Sequence, residues 1–141
     1  MSYHKENLKE QFAQIAWNIC KTESWQKVNI RRVAQKAGVS NNAFYRHFKD
    51  KNDLKAELMR RGFETLNEGM RDVTNNFSSY GAHYIRFGLD YPHIYDLMFG
   101  NIDIDMHLYP DLKEQLNASF DGLVEGLRPF MSDASAGAND E

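Results

Sequence analysis

Val28 to Leu58, VNIRRVAQKAGVSNNAFYRHFKDKNDLKAEL, leaves this chain few choices of fold. Ile30, Val33, Ala34 and Ala37 recur at i, i+3, i+4 and i+7, the single apolar stripe of a short amphipathic helix. Gly38 follows where a left-handed backbone stop is cheapest, and Ser40 offers a hydroxyl to the unpaired N–H groups that open a second helix. On a helical wheel Phe44 and Phe48 fall together on one side and Asn42 and Arg46 roughly opposite, with Asn41 and Tyr45 flanking the outer face. Two rings thus anchor the second helix to its own domain while amide, guanidinium and phenol groups point away. Helix, tight turn, helix is the expected result. Its outer face has the chemistry of a recognition helix in a major groove, where Asn reads adenine, Arg reads guanine and an aromatic or methyl group touches thymine. His47, Lys49 and Lys51, at the helix exit, are placed to meet phosphates. The competing reading is an amphipathic hairpin whose polar side is merely solvated.

Charge argues against that bland reading. Residues 1–61 carry 13 Lys or Arg against 6 Asp or Glu, a formal +7, whereas residues 62–141 carry 4 against 14, a formal −10, and the two sum to the −3 of the whole chain. An acidic average would disfavour nucleic acid, but phosphates meet the local field of the basic half. Basic surface alone is a weak sign; on a helix-turn-helix it is a strong one.

The segments Asn29-Ile30-Arg31-Arg32-Val33-Ala34, Ala37-Gly38-Val39-Ser40, Phe44-Tyr45-Arg46-His47-Phe48 and Lys49-Asp50-Lys51-Asn52-Asp53-Leu54 together resemble the N-terminal pattern of the TetR (tetracycline repressor-like) family of bacterial transcriptional regulators. The resemblance covers about residues 5 to 60. It implies that Ser40, Asn41, Asn42, Ala43, Tyr45 and Arg46 face the DNA groove, and that His47 and Lys51 hold phosphates; Asn29, Arg31 and Lys49 complete the candidate DNA-binding set. Asn29 stands where the family usually has Thr, and Asn41-Asn42-Ala43 where Lys-Gly-Thr is common, so the operator sequence does not carry over from a relative. A shorter stretch, Tyr84 to Phe99, also resembles the ligand-binding half of such proteins, with Pro92 opening a helix.

The remaining chain reads as helical throughout, giving an all-α fold: a three-helix helix-turn-helix domain over 1–50, a shortened helical ligand-binding and dimerisation region over 51–131, and a disordered tail over 132–141. The first helix is expected from Lys5 to about Thr22, with Leu8, Phe12, Ile15 and Ile19 buried; Cys20 continues that stripe and reads as core rather than as a redox sensor. Asp50 caps the fourth helix, Asp53 strengthens its start, and the helix runs to about Asn75 as a lever between the two halves. Phe77, Tyr80, Tyr84, Phe87 and Tyr91 then form an aromatic stripe. Most such stripes are core, but Gly81 and Gly88 within the same helix leave room for a neighbouring helix or a ligand. Met70, Phe77, Tyr80, Tyr84, Phe87, Tyr95 and Met98 are therefore the candidate lining of a pocket for a small hydrophobic or aromatic effector. In the last helix, opened by Pro110 and ended by Pro129, Leu112, Leu116, Phe120, Leu123 and Leu127 make a stripe. This stripe is the candidate homodimer interface, because the family's usual last two helices have no counterpart after Phe130.

Asp103, Asp105 and His107 alternate in a loop, but match no full metal-ligand set, so neither metal nor cofactor is expected. Nucleophile–base pairs and phosphate-cradling loops are not visible, and the five His are scattered, which argues against an enzyme. A bacterial cytoplasmic regulator is expected, with no membrane association. It is expected to bind a double-stranded, palindromic DNA operator as a homodimer, as a repressor released by ligand. The alternative is an effector-independent DNA-binding module whose C-terminal half makes protein contacts.

Overall fold

In the computed structural model, which describes residues 7–71, 77–100 and 103–138, seven α-helices and two short 3-10 turns make up the regular structure. The helices are α1 (Leu8–Cys20), α2 (Ile30–Ala37), α3 (Asn41–Tyr45), α4 (Lys51–Arg71), α5 (Phe77–Asp90), α6 (Pro92–Phe99) and α7 (Pro110–Ala138). The all-α reading holds among these residues.

Local chemistry fixes most of the boundaries. Gly38 adopts φ 73°, and the bonds Val39 N–H to Ala34 O (3.0 Å) and Gly38 N–H to Gln35 O (3.0 Å) close α2 in a paired C-terminal motif that only a left-handed residue permits. Asp50 and Asp53 open α4 as a reciprocal box. Asp50 Oδ1 accepts from Asp53 N–H at 3.0 Å, and Asp53 Oδ2 reaches back to Lys49 N–H at 2.7 Å. Pro92 stands at the first position of α6, where its missing N–H has no intrahelical partner to lose.

One hydrophobic cluster runs from Leu8 and Phe12 through Phe44, Leu54 and Phe63 to Ile94, Met98 and Leu112. It crosses position 50/51 without a break, because α4 packs on α1, α5, α6 and α7. Two glycines let α4 sit this close. A Cβ at Gly62 would stand 2.8 Å from Met98 Cγ, and one at Gly69 would stand 2.5 Å from His83 Nε2, both inside van der Waals contact. His83 Nε2 donates to Leu66 O at 3.2 Å, which pins the ring over Gly69.

Three expectations need correction. Pro129 does not end the last helix, which continues to Ala138, so the tail expected from Ser132 begins inside α7. A proline in a helix interior removes one backbone bond, at about 3 kcal/mol, and the alanines Ala134, Ala136 and Ala138 favour continuation. The stripe on α7 is not a free face either. Leu112 is 1% exposed and Leu116 packs on the core, since both turn toward α4; Phe120 stands out in solvent and Leu123 is half-buried. The expected aromatic pocket does not assemble as a set. Phe87 and Met98 are core, Tyr84 and Tyr91 pack against it, and Tyr95 lies at the surface. The side chains of Phe77 and Leu127 lie outside the described residues, as do residues 72–76, where the fourth helix was expected to end.

Candidate nucleic-acid interface and effector cleft

The helix-turn-helix is built around Phe44. Its ring is fully buried, 5.4 Å from Phe12 and 5.2 Å from Phe48, so α3 is clamped by aromatic contacts on one side only. The hydroxyl of Ser40 caps α3 by accepting from Ala43 N–H at 3.3 Å, and Asn29 Oδ1 caps α2 by accepting from Arg32 N–H at 2.8 Å. Both residues assigned to DNA contact from sequence thus also hold the two helices in place. With the inner side occupied, Asn41, Asn42, Tyr45 and Arg46 are exposed, Ala43 is half-buried, and Tyr45 keeps 53% of its surface open. Arg31 and Lys49 are exposed near the two ends of the motif.

Two of the residues expected to hold phosphates are placed differently from that simple reading. Lys51 is half-buried; its ammonium lies 4.8 Å from the Trp25 ring centre and within 3.5 Å of Trp25 O, and burial lowers its pKa. Lys51 thereby ties the start of α4 to the α1–α2 connection. His47 is half-buried over Phe12, with ring centres 6.1 Å apart. Arg32, beside Arg31, is held by Glu23 through contacts of 3.2 and 2.6 Å, and that hydrogen-bonded pair keeps the Glu23 carboxyl below its usual range. The anchoring roles of Trp25 and Glu23 were not legible in the sequence, for neither sits at a helical spacing that marks it.

A second set of ties reaches α4 from the far half. Tyr109 donates its phenol to Asp53 Oδ1 at 2.5 Å, and Asp103 pairs with Lys55 at 3.0 Å. Burial, then the Asp53 carboxylate, push the Tyr109 phenol well above its usual range. Asp105 accepts from His107 N–H at 3.0 Å. The acidic loop thus spends two of its carboxylates on structure.

Of the residues expected to line a pocket, Met70 and Tyr80 meet at a cavity. It measures about 380 Å³ and lies between α4, α5 and α7, with Asn67, Gln115 and Ser119 among its walls. Asn67 donates to both Gln115 O and Gln115 Oε1 at 3.0 Å, while Ser119 Oγ is buried with no partner among the described residues. Sequence reasoning missed these polar walls, although Gln115, Ser119 and Gly122 recur at i, i+4 and i+7 on one face of α7.

A capped, glycine-stopped helix pair with a polar outward second helix is a helix-turn-helix DNA-binding domain. Residues 16–58, which hold this helix pair, match the model of bacterial regulatory proteins of the tetR family. Over 87 residues it is 26% identical to HTH-type transcriptional regulators of Staphylococcus aureus strains USA300 and COL, covering 62% of this chain and 46% of each relative. A regulator of the bovine strain RF122 is 25% identical over 83 residues. The matched stretch therefore spans less than half the length of these relatives. A solved structure of a Rhodococcus sp. RHA1 protein of unknown function has the same fold, with a TM-score of 0.75 at 23% identity over 94% of this chain and 72% of that one.

Proposed function

We propose that this protein is a sequence-specific DNA-binding transcriptional repressor of the bacterial cytoplasm, working as a homodimer on a palindromic operator and released by a small ligand. The observation that carries the reading is the division of α3, with Phe44 fully buried while Asn41, Asn42, Tyr45 and Arg46 face solvent on a capped helix. The names of the Staphylococcus aureus relatives support it. The effector clause rests on the cleft between α4, α5 and α7. Met70 and Tyr80 offer apolar and aromatic surface there, and the Ser119 hydroxyl, without a partner among the described residues, offers a hydrogen bond. A ligand in that cleft biases α4 between arrangements that do and do not match the half-site spacing. The activity is binding, not catalysis.

The test is selection of duplexes from a random library, followed by titration of wild type, Arg46→Ala and Tyr45→Ala on the selected and a scrambled duplex. Each variant loses about 1–3 kcal/mol on the selected duplex and little on the scrambled one. Equal affinity of the wild type for both duplexes sinks the specificity claim. Small molecules that bind but leave operator affinity unchanged remove the effector clause alone. That outcome would favour the second reading, a DNA-binding module whose C-terminal half makes protein contacts, for which the exposed Ile85 and Leu89 speak.

A further inference from the structure

A side-chain bridge joins the far half of the chain to the exit of α3. Asp53 spends both of its oxygens on it: Oδ1 accepts the Tyr109 phenol at 2.5 Å, and Oδ2 accepts Lys49 N–H at 2.7 Å. Lys49 directly follows Phe48, whose ring lies 5.2 Å from that of Phe44, so the bridge ends beside the aromatic clamp that seats α3. Its other end belongs to α7. Tyr109 immediately precedes Pro110, and its carbonyl accepts Lys113 N–H at 3.0 Å in the first turn of that helix. Further along α7, Gln115 receives Asn67 of α4, which ties the two helices a second time.

Burial does not force the bond between Tyr109 and Asp53. Both residues are half-buried, and clefts open on either side of the pair with Asp53 and Tyr109 in their walls; His47 and Phe48 line one cleft, Lys49 the other. Water can replace either partner, so breaking the bond leaves no orphaned polar group in the core. Its loss is felt first in geometry. While Oδ1 is held by the phenol, the carboxylate keeps the orientation in which Oδ2 meets Lys49 N–H. The phenol, pushed well above its usual range, stays a donor throughout. The apolar packing of α4 on its neighbours holds distance, but it is not directional in this way.

We propose that Tyr109 is a positioning residue for DNA reading: through Asp53 it fixes the backbone at the exit of α3, so that sequence preference depends on where α7 begins. This role rests on α3 being the DNA-reading helix, and it adds to that helix a determinant from outside the helix-turn-helix. Tyr109 acts through Asp53 and not by touching DNA. Removing the phenol oxygen alone frees Oδ1 to turn to water and takes the fixed acceptor from Lys49 N–H, while the ring keeps its packing against the core.

The test uses the full chain as wild type, Tyr109→Phe, Asp53→Asn and the double variant, with circular dichroism to check that each is folded. Hydrogen exchange followed by NMR without DNA reads the bridge. In Tyr109→Phe the Lys49 amide exchanges roughly threefold to tenfold faster, while the Val39 amide, bonded to Ala34 O away from the bridge, keeps its rate. Fluorescence anisotropy on the selected and the scrambled duplex reads the consequence. Tyr109→Phe and Asp53→Asn each lower the preference for the selected duplex roughly threefold to tenfold, a ratio in which the charge change at Asp53 cancels. The amide of Asp53→Asn has one acceptor oxygen where two were in use, so the double variant is no worse than Asp53→Asn alone. A Tyr109→Phe chain whose Lys49 exchange or duplex preference equals that of wild type overturns the proposal. So does a double variant in which the two losses add, and so does equal acceleration at Val39, which marks a general loosening. A wild type with no duplex preference removes the reading of α3 first, and the proposal with it.

Discussion

The two exposed faces of this molecule are opposites in how they are held. The α3 face is polar and mounted on a part in which every local device agrees: a glycine stop, two side-chain caps, a reciprocal carboxylate box and a stack of buried rings. The α5–α6 face is apolar, and the half behind it contains a polar cleft with a hydroxyl that has no partner among the described residues, and two glycines that admit neighbouring side chains into α4. The first half is organised to keep one shape while it reads a surface. The second is organised around close approach and spare room, which is what a part with two arrangements needs.

The largest test of that contrast is Phe44→Ala. Removing the ring costs about 3–5 kcal/mol and releases α3, so urea unfolding followed by circular dichroism shifts strongly and sequence-specific binding goes with it. Gly69→Ala is next. The added methyl meets the His83 ring and breaks its bond to Leu66 O, so stability falls by roughly 1–3 kcal/mol despite the better helix former. In the same unfolding assay, Asn29→Ala and Ser40→Ala each lose about 1 kcal/mol, because each strips a cap. Gly81→Ala runs the other way. Nothing lies within 4 Å of the new Cβ, and the helix gains up to about 1 kcal/mol. An equal loss at Gly69 and Gly81 would erase the distinction between a glycine that admits a neighbour and one that does not.

A pH dependence separates the halves once more. Burial raises the Cys20 thiol from 9.0 to about 11, against the pull of Lys51. The folded chain therefore keeps the proton while the unfolded chain loses it above pH 9.0, and stability falls as pH rises from 9.0 toward 11. Cys20→Ala lacks that component of the slope. At pH 8 the native thiol resists alkylation, and mass spectrometry finds it labelled only at the rate of opening.

The first half was legible because its rules are local. Ala37-Gly38-Val39-Ser40 fixes a stop and a cap within four residues, and Asp50 with Asp53 fixes a start, with no need of distant information. In the second half periodicity located α5 and α6, but a stripe does not say which neighbour receives it. Phe87 and Met98 went to the core while Tyr95 stayed outside, a choice made by the glycines on α4 and the placement of α6. The α7 stripe shows the same limit: an amphipathic helix looks alike whether it packs on its own chain or on another. The ties of Lys51 to Trp25 and of Tyr109 to Asp53 join residues far apart in sequence, beyond any spacing rule.

The continuity of α4 limits how such a protein diversifies. Its first turn carries the box that receives Tyr109 from the opposite half, and further along it Phe63 and Gly62 meet Phe99 and Met98. A recombination joint placed after Asp50 would therefore cut through one core rather than between two. A head grafted from a relative with a different operator must bring the opening of α4 and a matching Tyr109 with it. New DNA specificity is reached more cheaply by exchanging the exposed residues of α3, one at a time, on an unchanged frame.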